Sequence, residues 1–139
     1  QPIIYGDGKQ QRCFSYIDDC LYCLNALAFQ DNVVGEVINI GPDEEPITIN
    51  ELAEACANET GLNLDPIHHK DRPKEVKLAV CSSDKARDLL GYSTATNMRQ
   101  SVKKTAEYIR TRGTKKFQYH LPLEIINDQT PDTWKNKLI

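Results

Sequence analysis

The opening stretch, Gln1 to Arg12 (QPIIYGDGKQQR), constrains this chain more than any other segment. Pro2 to Tyr5 is a short apolar run that predicts a strand. Gly6 and Gly8 flank Asp7, so the backbone there can turn through angles closed to other residues. Arg12 opens a second predicted strand, Arg12 to Ile17 (RCFSYI), with side chains alternating inward and outward. Bare amides beside an arginine fork suit a phosphate or diphosphate, because a guanidinium pairs with two oxygens at once. Taken by itself, the segment reads first as an ordinary hairpin ending in a surface arginine.

The chain has 139 residues, enough for one domain that buries roughly two-thirds of its unfolded surface. With 40% hydrophobic and 27% charged residues it reads as globular and soluble. A net charge of −3 argues against a nucleic-acid surface, which carries a basic excess. The lysine pairs Lys103-Lys104 and Lys115-Lys116 read as solvated faces. No apolar run approaches the roughly 18 residues of a membrane span, and no basic-then-apolar leader is visible. Five cysteines without dense spacing fit a reducing compartment, and a cytoplasmic location is expected. Cys20 and Cys23 form a C-x-x-C, but no second pair or nearby histidines complete a metal site, so they read as buried helical thiols. The chain opens directly into a strand without a methionine, which predicts a piece of a longer protein.

Further along, Asp18 and Asp19 mark a helix start, and that helix is predicted to reach about Gln30. Glu36 to Ile40 is predicted as a strand, stopped by Gly41-Pro42. Thr48 and Glu51 form a capping box for a helix ending at Gly61, with Leu52, Ala53, Cys56 and Ala57 along one face. Pro66 to His69 predicts a short strand, and Glu75 to Val80 an extended run. Ser83 is expected to cap a short helix closed by Gly91. A last helix begins at Thr96 or Asn97, with Met98, Val102, Ala106 and Ile109 as its apolar stripe and Gly113 as its end. From Thr114 onward, isolated anchors (Phe117, Tyr119, Leu121, Leu123, Ile125, Ile126 and Trp134) predict an extended tail lying over a partner surface.

Four segments, in order, resemble the C-terminal part of extended short-chain dehydrogenase/reductase enzymes, the NAD-dependent nucleotide-sugar epimerases, dehydratases and decarboxylases. Tyr5 to Asp19 is similar to the family's Y-G-D-G-x-Q-x-R-x-F-x-Y-V-x-D. Val37 to Gly41 resembles its Y-N-I-G, and Arg72 to Val76 (RPKEV) stands at its R-x-G-D-V. Asp84 to Tyr92 (DKARDLLGY) resembles D-x-x-K-A-x-x-x-L-G followed by Trp or Tyr. Together they span about residues 1 to 110. The tail resembles an extension found in only some members.

The resemblance implies an α/β fold: a substrate-binding lobe of short strands and several helices over residues 1–113, then a tail over 114–139. It implies a nucleotide-sugar substrate, with a UDP-sugar favoured. Arg12 and Arg72 match the two arginines that grip the substrate diphosphate. Ile3, Ile4 and Tyr5 match the strand along the base, and Gly6 the turn after it. Glu75 stands where the family has an aspartate on the ribose hydroxyls, and Lys74 replaces the usual glycine before it. The chemistry implied is transient oxidation at the sugar's C4 by NAD, followed by epimerisation, dehydration or decarboxylation, in a protein expected to be a homodimer when full-length. That chemistry requires a glycine-rich strand–helix turn for the cofactor and a Y-x-x-x-K on a helix. Neither is present, since Tyr5 to Lys9 fits Y-x-x-x-K only across two helix-breaking glycines. The NAD-binding Rossmann domain is thus expected in preceding sequence, with no catalytic residue in this chain, which alone is expected to be inactive. A reductase of the same superfamily and a non-catalytic nucleotide-binding or interaction module are the alternatives.

Overall fold

The computed structural model describes residues 1–116, 118–119 and 122–137. Its strands are two or three residues long and form two small sheets. In the first, β1 (Ile3–Tyr5) runs parallel to β4 (Ile67–His69), with Ile3 opposite Ile67 and Tyr5 opposite His69. In the second, β2 (Gln11–Arg12) is central, antiparallel to β3 (Ile47–Thr48) and parallel to β5 (Leu78–Ala79).

The opening pair is therefore not a hairpin, because β1 and β2 belong to different sheets. The Gly6 N–H donates to His69 O at 2.9 Å, so the turn extends the β1–β4 ladder instead of folding back on β1. The second predicted strand is also shorter than expected, since pairing stops at Arg12. The predicted strand at Glu36–Ile40 does not form either. Ile38 and Ile40 pack against the core as unpaired chain, and side chains reach this segment where a ladder was expected. Lys85 donates to Val37 O, and Asn39 donates to Ser82 O.

α1 (Ile17–Phe29) and α3 (Asp84–Leu90) enclose the core of Cys23, Val33, Ala86, Leu90 and Tyr92. Cys23 is fully buried and Cys20 half-buried; burial, with Asp19 nearby, pushes the Cys20 thiol up and away from thiolate chemistry. Asp19 does not cap its own helix. Its carboxylate accepts from the Ala95 and Thr96 amides and the Thr96 hydroxyl at 2.8–3.1 Å, tying α1 to the start of the last long helix.

α2 (Ile49–Thr60) carries the expected capping box, and Gly61 ends it in the left-handed region. Its buried positions are Ala55 and Ala57. Cys56 is exposed, on the rim of an open groove between α2 and α4 (Met98–Arg112). α4 begins with a second capping box, Asn97 with Gln100, and Met98, Val102 and Ala106 are half-buried along it. Ser83 precedes α3, but its hydroxyl donates to Gly41 O and does not cap the helix.

The tail includes one helical turn, α5 (Asp132–Lys135), with Thr133 buried against the lobe. Of the expected anchors, Leu123, Ile125, Ile126 and Trp134 are exposed, while Phe117 and Leu121 lie outside the described residues. Among the described residues, no helix is long and apolar enough to cross a membrane.

Candidate functional site

The site is built on β1 and on the loop that follows β4. Beyond His69 the Asp71 side chain lies against the glycine turn, and a Cβ on Gly6 would push aside its carboxylate, whose Oδ1 would be 1.8 Å away. Gly6 also has φ +69°, a left-handed backbone that favours glycine. The same loop then makes a tight turn. Glu75 N–H donates to Arg72 O at 3.2 Å, Pro73 follows Arg72, and Lys74 takes φ +58°. Proline at the second position and a left-handed residue at the third are the signature of a type II turn. The turn sets Arg72 and Glu75 at its two ends, and their side chains meet at 2.8 Å, Arg72 Nε to Glu75 Oε2.

The other carboxylate oxygen of Glu75 accepts from Arg12 Nη2 at 2.6 Å. One carboxylate thus holds two guanidinium groups that reach it from β2 and from the 72–75 turn. Its side chain is only 10% exposed, against 26% for Arg12 and 44% for Arg72. Arg12 Nη1 donates to Gln11 O at 2.7 Å, which fixes its fork against its own strand. The net charge of the trio is +1, and a guanidinium carries five N–H donors, so capacity for an anion remains. The Arg72 guanidinium carbon also lies 5.2 Å from the Tyr5 ring centroid, within cation–π range.

Beside this trio is a cleft of about 520 Å³ lined by Ile3, Ile4, Tyr5, Gln10, Ile49, Arg72 and Thr133. Its size lies in the range of small-ligand sites. Of the residues singled out from the sequence, Ile3, Ile4, Tyr5 and Arg72 line it. Gly6 shapes the adjoining turn, and Arg12 and Glu75 join the cleft through Arg72. Gln10, Ile49 and Thr133 were not singled out. Gln10 follows the glycine turn and is 3% exposed; its Nε2 donates to Tyr5 O at 3.1 Å. Thr133 was hidden in the tail, where only Pro131-Asp132 signals a turn.

A larger apolar groove of about 590 Å³ separates α2 from α4, where Arg110 is matched one-to-one by Glu59 at 2.9 Å. The trio beside the β1 cleft differs in having two guanidinium groups to one carboxylate. Among the described residues, no cluster of three or more His, Cys, Asp or Glu is arranged to hold a metal ion.

No protein-family model matches the chain. It is 31% identical over 109 residues to a Methanocaldococcus jannaschii protein named a UDP-glucose 4-epimerase, covering 78% of this chain and 34% of that one. It is 30% identical over 114 residues to the UDP-N-acetyl-alpha-D-glucosaminuronate decarboxylase of Bacillus cytotoxicus, covering 78% and 35%. Among solved structures, the UDP-glucuronic acid 4-epimerase of Bacillus cereus, in complex with UDP-glucuronic acid and NAD, superposes with a TM-score of 0.72 at 32% identity. That match covers 81% of this chain and 36% of the epimerase. The fold and the matches together define the chain as an α/β segment of the extended short-chain dehydrogenase/reductase family. Within that family its relatives are nucleotide-sugar epimerases and decarboxylases, and it spans about a third of their length.

Proposed function

We propose that this chain is the substrate-holding part of a nucleotide-sugar epimerase or dehydratase, with a UDP-sugar as the favoured ligand. The observation that carries the reading is the Arg12–Glu75–Arg72 bridge beside the β1 cleft. Two cations held by one carboxylate are prepositioned, so a diphosphate meets them without the entropy cost of gathering two long side chains. Among the described residues Arg72 uses Nε on Glu75 and keeps both Nη groups for the ligand. The base lies along β1, whose residues Ile3, Ile4 and Tyr5 all line the cleft. Glu75 anchors both arginines and, at the edge of the cleft, stands beside the ribose. With base and diphosphate fixed, the sugar is the part left to present its reacting carbon to chemistry supplied elsewhere.

The relatives' cofactor does not fit this segment. Gly6 and Gly8 lead into β2 and not into a helix N-terminus, so the turn is no cradle for a dinucleotide pyrophosphate. NAD belongs to sequence outside this chain, as does the acid/base pair, and the chain alone is expected to turn over no nucleotide sugar.

Calorimetric titration with uridine diphosphate tests the proposal. Arg12→Ala and Arg72→Ala each remove charge-assisted hydrogen bonds worth roughly 1.5–3 kcal/mol, so Kd should rise by about tenfold or more, with the half-exposed Arg72 at the low end. An unchanged Kd in both variants would refute the assignment. Turnover of UDP-glucose with NAD by the 139-residue chain would refute the division of labour.

A further inference from the structure

The cleft along β1 has a wall that comes from the far end of the chain. Thr133, in α5, is 6% exposed and lines the cleft together with Gln10 and Arg72. It is latched to Tyr5 by a reciprocal pair of hydrogen bonds. The Tyr5 hydroxyl donates to Thr133 Oγ1 at 2.8 Å, and the Thr133 N–H donates to the Tyr5 hydroxyl at 2.8 Å. Tyr119 adds a third tie, its hydroxyl 3.4 Å from Thr133 O. These contacts span 128 residues of sequence, in a tail whose larger apolar side chains stay exposed. Among the described residues, Thr133 is thus where the tail is buried, and it is also where the tail meets the cleft. The cleft retains about 520 Å³ with Thr133 in place, so the segment bounds the space without filling it. Gln10, another lining residue, has a buried Oε1 with no hydrogen-bond partner among the described residues.

We propose that the C-terminal turn Pro131–Lys135 is a working wall of the ligand site, with Thr133 as a positioning residue that holds the Tyr5 ring against a nucleobase. The proposal rests on the nucleotide-binding reading above and deepens it. The Tyr5 ring is fixed at three points: by Arg72 over its face, by His69 at 5.7 Å between ring centroids, and by the Thr133 latch at its hydroxyl. Releasing the latch leaves the arginines in place but frees the surface against which the base lies. The wall therefore matters for a ligand that has a base and not for one that is diphosphate alone.

That difference sets the experiment. Uridine diphosphate and inorganic pyrophosphate are each titrated into the 139-residue chain and its Thr133→Val, Thr133→Ser and Tyr5→Phe variants. Wild type should bind uridine diphosphate more tightly than pyrophosphate. Thr133→Val, which loses one neutral hydrogen bond, should weaken uridine diphosphate by about threefold to tenfold, Tyr5→Phe, which loses both, by at least as much, and each should leave pyrophosphate unchanged. Thr133→Ser should restore most of the loss. Amide exchange at 132–135 should slow when uridine diphosphate binds. Equal affinities for uridine diphosphate in wild type and Thr133→Val would overturn the wall while leaving the arginine site standing, and so would parallel losses for both ligands. Tighter binding after loss of the latch would overturn it in favour of a plug. Binding of neither ligand to wild type would overturn both readings.

Discussion

Lys74 shows how a single residue shapes this site. It occupies the left-handed third position of the turn that joins Arg72 to Glu75, at φ +58°. A side chain there costs about 1–2 kcal/mol, and glycine's extra freedom in the unfolded chain offsets about 0.5–1 of the relief. Lys74→Gly should therefore raise stability to urea by about 0.5–1 kcal/mol, and a fall in the denaturation midpoint would show that Lys74 makes compensating contacts. At this scale the sequence was legible in part. The motif order supplied Arg12, Arg72 and Glu75. It did not supply their bridge, because Arg12 and Glu75 lie 63 residues apart and only the pairing of β2 with β5 brings the turn alongside. Lys74, standing where the family has glycine, adopts the backbone angle natural to glycine.

Capping boxes, among the elements, were the most readable feature, since each is a local code complete within four residues, whereas the single-residue cap expected at Ser83 is not made. Thr48 with Glu51 and Asn97 with Gln100 both close as reciprocal pairs. Asn97→Ala should cost about 1 kcal/mol, measured as a lowered thermal midpoint. A smaller loss for Gln100→Ala would be consistent with its supporting part, whereas no loss for Asn97→Ala would contradict the cap. Strand pairing was the least readable. Two- and three-residue strands carry almost no periodicity, and their partners are set by tertiary contacts such as Gly6 with His69 and Gly6 O with His68 Nδ1 at 2.8 Å. The isoleucines of 38–40 illustrate the same limit. Their apolar alternation was real, and it packs them on the α1–α3 core, but no strand among the described residues pairs with them.

For the whole molecule, two features of the surface make predictions. α1 is apolar on more than its core face. Cys20, Cys23 and Leu27 face inward, while Ile17, Leu21 and Leu24, each more than half exposed, form a second stripe at helical spacing. The chain should bind a hydrophobic dye, and Leu21→Glu with Leu24→Glu should reduce the signal without lowering stability; an unchanged signal would locate the apolar surface elsewhere. The other feature is the acid lability of the 42–45 loop. Arg87, followed by the Ser83 amide, hydrogen-bonds Asp43 and holds its carboxyl down at about 2, against an ordinary 3.8. A depressed folded pKa stabilises above the unfolded value and is lost as the group protonates. This contribution should therefore be complete above pH 3.8 and vanish as pH falls through about 2. Asp43→Asn should flatten the stability profile in that window, and an unchanged slope would remove Asp43 from the account.

The reading of the molecule as a nucleotide-diphosphate holder depends on Arg12 and Arg72 acting as one unit through Glu75. A double-mutant cycle with uridine diphosphate measures that directly. Each single alanine variant should weaken binding by about tenfold or more, and the double variant should lose less than the product of the two, because either loss already unbalances the shared carboxylate. A loss in the double variant equal to the product of the two single losses would contradict the account, as would binding as tight as wild type.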